Sequence, residues 1–136
     1  RKKDFPHVKN VTFDELISSS DIISFHCKAP ADGKPILNKS HFKKMKPSTY
    51  IINAARGNIV DEKDLNEALN ENLIAGAALD VYSKEPAKEN ILFNNPKVIL
   101  TPHIAASTTE ASIVVAEMVA NQISNFLLNG TKLNTV

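Results

Sequence analysis

The sequence predicts an α/β fold: a doubly wound parallel sheet of about four strands with flanking helices and a long C-terminal helix. Short runs of β-branched and aromatic residues alternate with stretches of helical periodicity, and Gly, Pro or a capping residue separates one from the next. The last patterned stretch is the longest and stops at Gly130. In order, Thr12-Phe13-Asp14-Glu15 has the form of a capping box, and Phe13, Leu16 and Ile17 follow at helical spacing. Asp21 to Cys27 reads as a buried strand, bounded by three serines and by Pro30. Residues 28–38, with Pro30, Gly33 and Pro35, read as a loop. Ser40 caps a brief predicted helix through Met45, Pro47 closes it, and residues 49–54 form the next strand. Asp61 caps a helix whose Leu65, Ala68, Leu69 and Leu73 share one face.

The run 75–82 is rich in small residues, which suits a strand deep in a sheet. After a loop over 83–96, residues 97–101 form a fourth strand that Pro102 stops. A second capping box at Ser107-Thr108-Thr109-Glu110 opens the final helix, about 107–129. Its stripe runs through Ala111, Val114, Val115, Met118, Gln122, Ile123 and Phe126.

Composition narrows the function. With 16 Lys+Arg against 15 Asp+Glu the net charge is +1, so neither nucleic acid nor an anionic membrane is the expected partner, and Arg1-Lys2-Lys3 is too short to change that. The single Cys27 excludes an internal disulfide framework, no stretch approaches the roughly 18 apolar residues of a membrane span, and no signal-like segment opens the chain. A soluble, cytoplasmic domain is expected. His7, His26, His41 and His103 lack metal-ligand spacing, so no metal is predicted, and no Ser or Cys stands in a Gly-x-Ser-x-Gly elbow.

Parallel βαβ units send every strand tip to one edge of the sheet, where ligands bind in such folds. Arg56 follows one strand, Asp80 and Glu85 the next, and His103 the last, so all four can line one rim. Arg56 either binds a planar anion through its fork or anchors loop carbonyls. His103 is either a proton carrier, with Glu85 as its carboxylate, or an ordinary loop residue. Asp80 either bonds a ligand amide or caps a turn. His26, Cys27 and Lys28 end the first strand on the same rim, and no base beside Cys27 suggests a nucleophile.

Three segments carry a more specific signal: Asn53 to Glu62 (NAARGNIVDE), Ala75 to Pro86 (AGAALDVYSKEP) and Thr101 to Thr108 (TPHIAAST). Together they resemble the D-isomer-specific 2-hydroxyacid dehydrogenase family, and the continuation Ala106 to Ala111 resembles its phosphoglycerate dehydrogenase branch. The resemblance implies a Rossmann-like NAD-binding domain beside a smaller substrate domain, a homo-oligomer, and hydride exchange between NAD and a 2-hydroxy or 2-oxo acid. The substrate would be 3-phosphoglycerate, in serine biosynthesis. It also implies a catalytic trio: Arg56 holds the substrate carboxylate, His103 is the general acid/base and Glu85 supports its ring. Cofactor contacts would come from Cys27, Ala54, Ala55, Arg56, Asp80, His103, Ile104, Ala105 and Ala106.

The chain departs from the family where a proline usually follows the His26-Cys27 pair, since Lys28 stands there. The family's Gly-x-Gly-x-x-Gly turn is also not found among Gly33, Gly57, Gly76 and Gly130. Residues 1–136 are therefore expected to be the second half of the NAD-binding domain, with the glycine-rich half and the substrate domain outside it. Such a chain alone would be a poor enzyme, and its unpaired sheet edge and apolar helix stripe predict self-association. Other 2-hydroxyacid reductases, of glyoxylate/hydroxypyruvate or D-lactate type, and a non-catalytic NAD-sensing protein are the alternatives.

Overall fold

The computed structural model describes residues 7–134; the basic run Arg1-Lys2-Lys3 lies outside them. Contacts divide the chain into two compact units, residues 1–103 and 104–136. The first holds a four-stranded sheet, all parallel, in the order β1 (Ile22–Phe25), β2 (Tyr50–Asn53), β3 (Gly76–Leu79) and β4 (Val98–Leu100). Each strand is shorter at both ends than the apolar run that encodes it. The helix α2 (Lys39–Phe42) lies between β1 and β2, α3 (Glu62–Asn70) lies between β2 and β3, a segment without a helix leads from β3 to β4, and α1 (Phe13–Ser19) precedes β1.

The register aligns Phe25 with Asn53 and Asn53 with Leu79, so the carboxyl tips of β1, β2 and β3 end level. Alternation sends Ile23, Phe25, Ile51, Asn53, Ala77 and Leu79 to a covered face, where they meet Ile17, Phe42, Leu65 and Leu69 from the helices. The alternate positions Ile22, Tyr50, Ile52 and Ile99 stay 38–72% exposed. Parallel sheets are ordinarily covered on both faces, so this one carries a bare apolar side.

Capping chemistry sets the helix ends. Thr12 Oγ1 accepts the Glu15 N–H at 3.2 Å and opens α1 as expected. Asp61 does the same for α3 through the Asp64 N–H at 2.9 Å, and Leu65, Ala68 and Leu69 are buried as the pattern requires. The stop of α3 is a Schellman arrangement: Asn72 takes φ 57°, and the Leu73 N–H returns to the Ala68 carbonyl.

Two caps differ from expectation. The cap of α2 is Asn38 rather than Ser40. Asn38 Oδ1 takes both the Ser40 N–H (3.0 Å) and the Ser40 hydroxyl (2.7 Å), while His41 Nδ1 accepts the Asn38 N–H (3.2 Å). The helix ends at Phe42, short of Met45, and continues only as turns. The segment read as loop 28–38 also makes a parallel bridge, Leu37 with Val60, which buries Leu37 completely.

The second unit contains α4 (Thr109–Asn129). Its cap is Thr108, whose hydroxyl accepts the Ala111 N–H at 3.1 Å. Ser107 instead closes a turn by donating its N–H to the Ile104 carbonyl at 2.9 Å. Gly130 ends α4 at φ 66°, the left-handed conformation that glycine adopts without penalty. No residue of α4 is buried, so the predicted stripe is on the surface. By length and composition alone α4 is apolar enough to cross a membrane, contrary to the expectation that no stretch is. It nevertheless carries Glu110, Glu117, Asn121, Gln122 and Asn125.

Candidate active site

The strand β2 ends at Asn53, an amide on the covered face and 1% exposed. Burying an amide requires partners, and here they shape the turn: Asn53 Nδ2 donates to the Arg56 carbonyl at 2.9 Å, and Oδ1 accepts the Ala55 N–H at 3.1 Å. The turn leaves the Arg56 side chain exposed, with Nη1 donating to the Ala55 carbonyl at 2.7 Å. Anchoring and anion binding are thus compatible, because one nitrogen holds the loop and the rest of the fork stays open. A 3₁₀ turn, Gly57–Ile59, follows. A β-carbon on Gly57 would collide with the Tyr82 carbonyl, so only glycine lets the β2 turn lie against the segment after β3.

That segment carries the carboxylate. Glu85 Oε1 accepts the Tyr82 N–H at 2.9 Å, and Oε2 lies 2.6 Å from His103 Nδ1. The Tyr82 N–H first, and the His103 ring second, hold the Glu85 carboxyl below its ordinary value, so it is ionised near neutral pH. Glu62, at the start of α3, fixes the same loop by accepting the Ser83 N–H, the Ser83 hydroxyl and the Asn90 amide at 2.7–2.9 Å.

Tyr82 is 7% exposed and donates its hydroxyl to the Thr101 carbonyl at 2.9 Å. Burial, then the nearby carboxylates Asp80, Glu62 and Glu85, pushes its phenol pKa up and keeps that donor protonated. His103 has φ 56°, an uncommon conformation for a residue with a β-carbon. Its side chain is 52% exposed, so with Nδ1 engaged by Glu85 the second ring nitrogen, Nε2, is the one left for a ligand.

Arg56, Glu85 and His103 line one cleft of about 270 Å³, together with Ala29, Gly57, Asn58, Val81, Tyr82 and Ser83. A second cleft of about 310 Å³ is lined by His26, Cys27, Lys28, Ala54, Ala55 and Arg56. A larger hollow of about 570 Å³ shares Glu85 and His103 but lacks Arg56, and is walled by Tyr82, Phe93, Leu100 and Pro102. Of these two hollows, the smaller is the one that also has a guanidinium in its lining.

The structure thus gathers six of the predicted residues, Cys27, Ala54, Ala55, Arg56, Glu85 and His103, around two clefts that share one guanidinium. Asp80 stands apart from both linings. It is 6% exposed, and its Oδ1 accepts the Thr101 hydroxyl at 2.5 Å. Ile104, Ala105 and Ala106 are exposed and belong to the second unit. No group of metal-ligating side chains occurs among the described residues.

The residues that hold the site together, Asn53, Glu62, Tyr82 and Thr101, were not predicted. Asn53 alone left a signal: an amide in phase with Ile51, on the face that must be buried. For a dinucleotide the chain offers exposed small residues at a strand tip, a cleft beside them and an imidazole on the same rim. Such a rim has room to border a dinucleotide, and the glycine turn for its phosphates has no counterpart among Gly33, Gly57, Gly76 and Gly130.

Comparison with known proteins identifies the family. The NAD binding domain of the D-isomer specific 2-hydroxyacid dehydrogenases matches residues 1–105. D-3-phosphoglycerate dehydrogenase of Bacillus subtilis (strain 168) is 44% identical over 119 residues, which are 88% of this chain and 23% of that protein. The 4-methyl-2-oxopentanoate reductase A of Aspergillus oryzae is 40% identical over 126 residues, 93% of this chain and 38% of that protein. A crystal structure of a glyoxylate reductase from Paecilomyes thermophila superposes with a TM-score of 0.87 at 35% identity, covering 98% of this chain and 40% of that one. The chain therefore spans well under half the length of these relatives. By its matched residues and its sheet, the chain belongs to the D-isomer specific 2-hydroxyacid dehydrogenase family, in the NAD-binding domain of that family.

Proposed function

We propose that this chain supplies the reactive edge of an NAD-dependent dehydrogenase of D-2-hydroxy acids, with 3-phosphoglycerate and 3-phosphohydroxypyruvate as the substrate pair. The observation that carries the reading is the single cleft lined by Arg56, Glu85 and His103, with Glu85 bonded to His103 Nδ1. The choice of a phosphorylated substrate rests on the name of the Bacillus subtilis relative. Residues 1–136 are read as the second half of the NAD-binding domain.

Arg56 binds the substrate carboxylate through the part of its fork not used by the Ala55 carbonyl, and this orients the hydroxyl-bearing carbon. His103 Nε2 accepts the hydroxyl proton in the oxidation and returns it to the carbonyl oxygen in the reduction. Ionised Glu85 keeps Nδ1 protonated and faces the positive charge that the ring acquires with the proton. The nicotinamide, when bound, supplies the acceptor or donor of the hydride. Cys27, Ala54 and Ala55 would border the dinucleotide, Asp80 would lie on its nicotinamide side, and Ile104, Ala105 and Ala106 would follow His103 along it.

The test is turnover by the full-length protein. With NADH and 3-phosphohydroxypyruvate, His103→Ala should lower kcat by about 100- to 10,000-fold with little change in NADH affinity. Undiminished turnover in His103→Ala would remove the histidine from the mechanism. NADH binding without turnover of any 2-oxo acid would favour a cofactor-sensing protein. Preferential turnover of glyoxylate or 4-methyl-2-oxopentanoate would replace the substrate and keep the mechanism.

A further inference from the structure

The cleft between the tips of β1 and β2 carries, in Lys28, a charge that the proposed chemistry does not use. Lys28 and Arg56 both line it, and none of its other lining residues, His26, Cys27, Ala54 and Ala55, is a carboxylate. Neither Lys28 nor Arg56 is in an ion pair among the described residues. Two exposed cations therefore converge on one concave site of about 310 Å³ at the edge of a parallel sheet where ligands bind.

The order of the strands says what should lie there. A dinucleotide with its reactive ring at Glu85 and His103, beyond β3 and β4, must run along the rim. The next tips it meets are those of β2 and then β1. The reactive cleft and the cationic cleft share Arg56, so they are consecutive along that path. In a nicotinamide dinucleotide the group that follows the nicotinamide riboside is the diphosphate.

We infer that Lys28, with Arg56 in the same lining, forms a phosphate subsite that takes the diphosphate of the cofactor. This rests on the dinucleotide-dependent reading given above. The ammonium of Lys28 would offer three N–H donors to non-bridging phosphate oxygens, and Arg56 would divide its fork between this cleft and the next. Lys28 would then supply part of the anion binding that a glycine turn supplies through backbone N–H groups.

The experiment is fluorescence titration of the full-length protein with NADH at low and at high salt, for wild type, Lys28→Met and Lys28→Arg. A parallel titration uses 3-phosphoglycerate as the probe. Lys28 is exposed, and equal thermal unfolding of the variants will show that the fold is kept. Lys28→Met should weaken NADH binding by about five- to tenfold at low salt, lessen its salt dependence and leave 3-phosphoglycerate binding unchanged, while Lys28→Arg should stay near wild type. Equal NADH affinity and salt dependence in wild type and Lys28→Met would overturn the subsite and leave the dehydrogenase reading standing. Loss of 3-phosphoglycerate binding alone would overturn the diphosphate assignment and give the lysine to a substrate phosphate. Failure of the wild type to bind NADH would overturn both readings.

Discussion

Glu85 joins two kinds of contact, one to the backbone of its own loop and one to a ring eighteen residues away in sequence. The Tyr82 N–H is the larger cause of its lowered carboxyl pKa, so loop geometry and charge state are coupled. A carboxyl whose pKa is lower folded than unfolded stabilises the fold above the unfolded value and loses that effect as pH falls through the folded value. The Glu85 contacts should therefore persist at pH 4.5, the ordinary value for this group, and yield only below it. Carbon-13 titration of the Glu85 carboxyl tests this, and a midpoint at or above 4.5 would contradict it. At this scale the sequence was readable where topology alone fixed a residue's place. A guanidinium, a carboxylate and an imidazole at three strand tips had to share an edge. It was opaque where a side chain serves another segment's backbone, as Asn53 does for Arg56 and Glu62 does for Ser83.

Among the elements, the turn after β2 and the segment after β3 depend on each other at Gly57. Its backbone has a negative-φ conformation open to any residue, so only the nearness of Tyr82 and Ser83 demands glycine; the Ser83 nitrogen would lie 2.6 Å from an added β-carbon. Gly57→Ala should lower the unfolding free energy by about 2 kcal/mol or more, because the obstacle is backbone and cannot rotate aside. An unchanged urea midpoint would show that the two segments are free to separate. Element types and order were legible from periodicity, and the ends were less so. At α2 and α4 several cap formers stand side by side, Asn38 with Ser40 and Ser107 with Thr108. The local turn, which depends on backbone bonds from outside the window, decides which one serves.

For the whole molecule, two apolar surfaces stand open: the sheet face with Ile22, Tyr50, Ile52 and Ile99, and α4 with Val114, Val115, Met118, Ile123 and Phe126. Contiguous exposed apolar area drives association, so the 136-residue chain by itself should form dimers or larger species at micromolar concentration. A clean monomer in sedimentation at high concentration would refute this. The sequence announced the parallel sheet and the long helix through their periodicities. Which faces end up covered depends on what packs against them, and a pattern of apolar residues records the demand for a cover without naming its source.

Tyr82 has a consequence of another kind. Its N–H holds the carboxylate, its carbonyl abuts Gly57 beside the guanidinium, and its hydroxyl fastens the Thr101 carbonyl just before the histidine. One residue thus works as a jig for three tools, tying together the segments that carry the guanidinium, the carboxylate and the imidazole. A change at Tyr82 would therefore be felt at all three segments at once, whereas a change at any one of them leaves the other two tied.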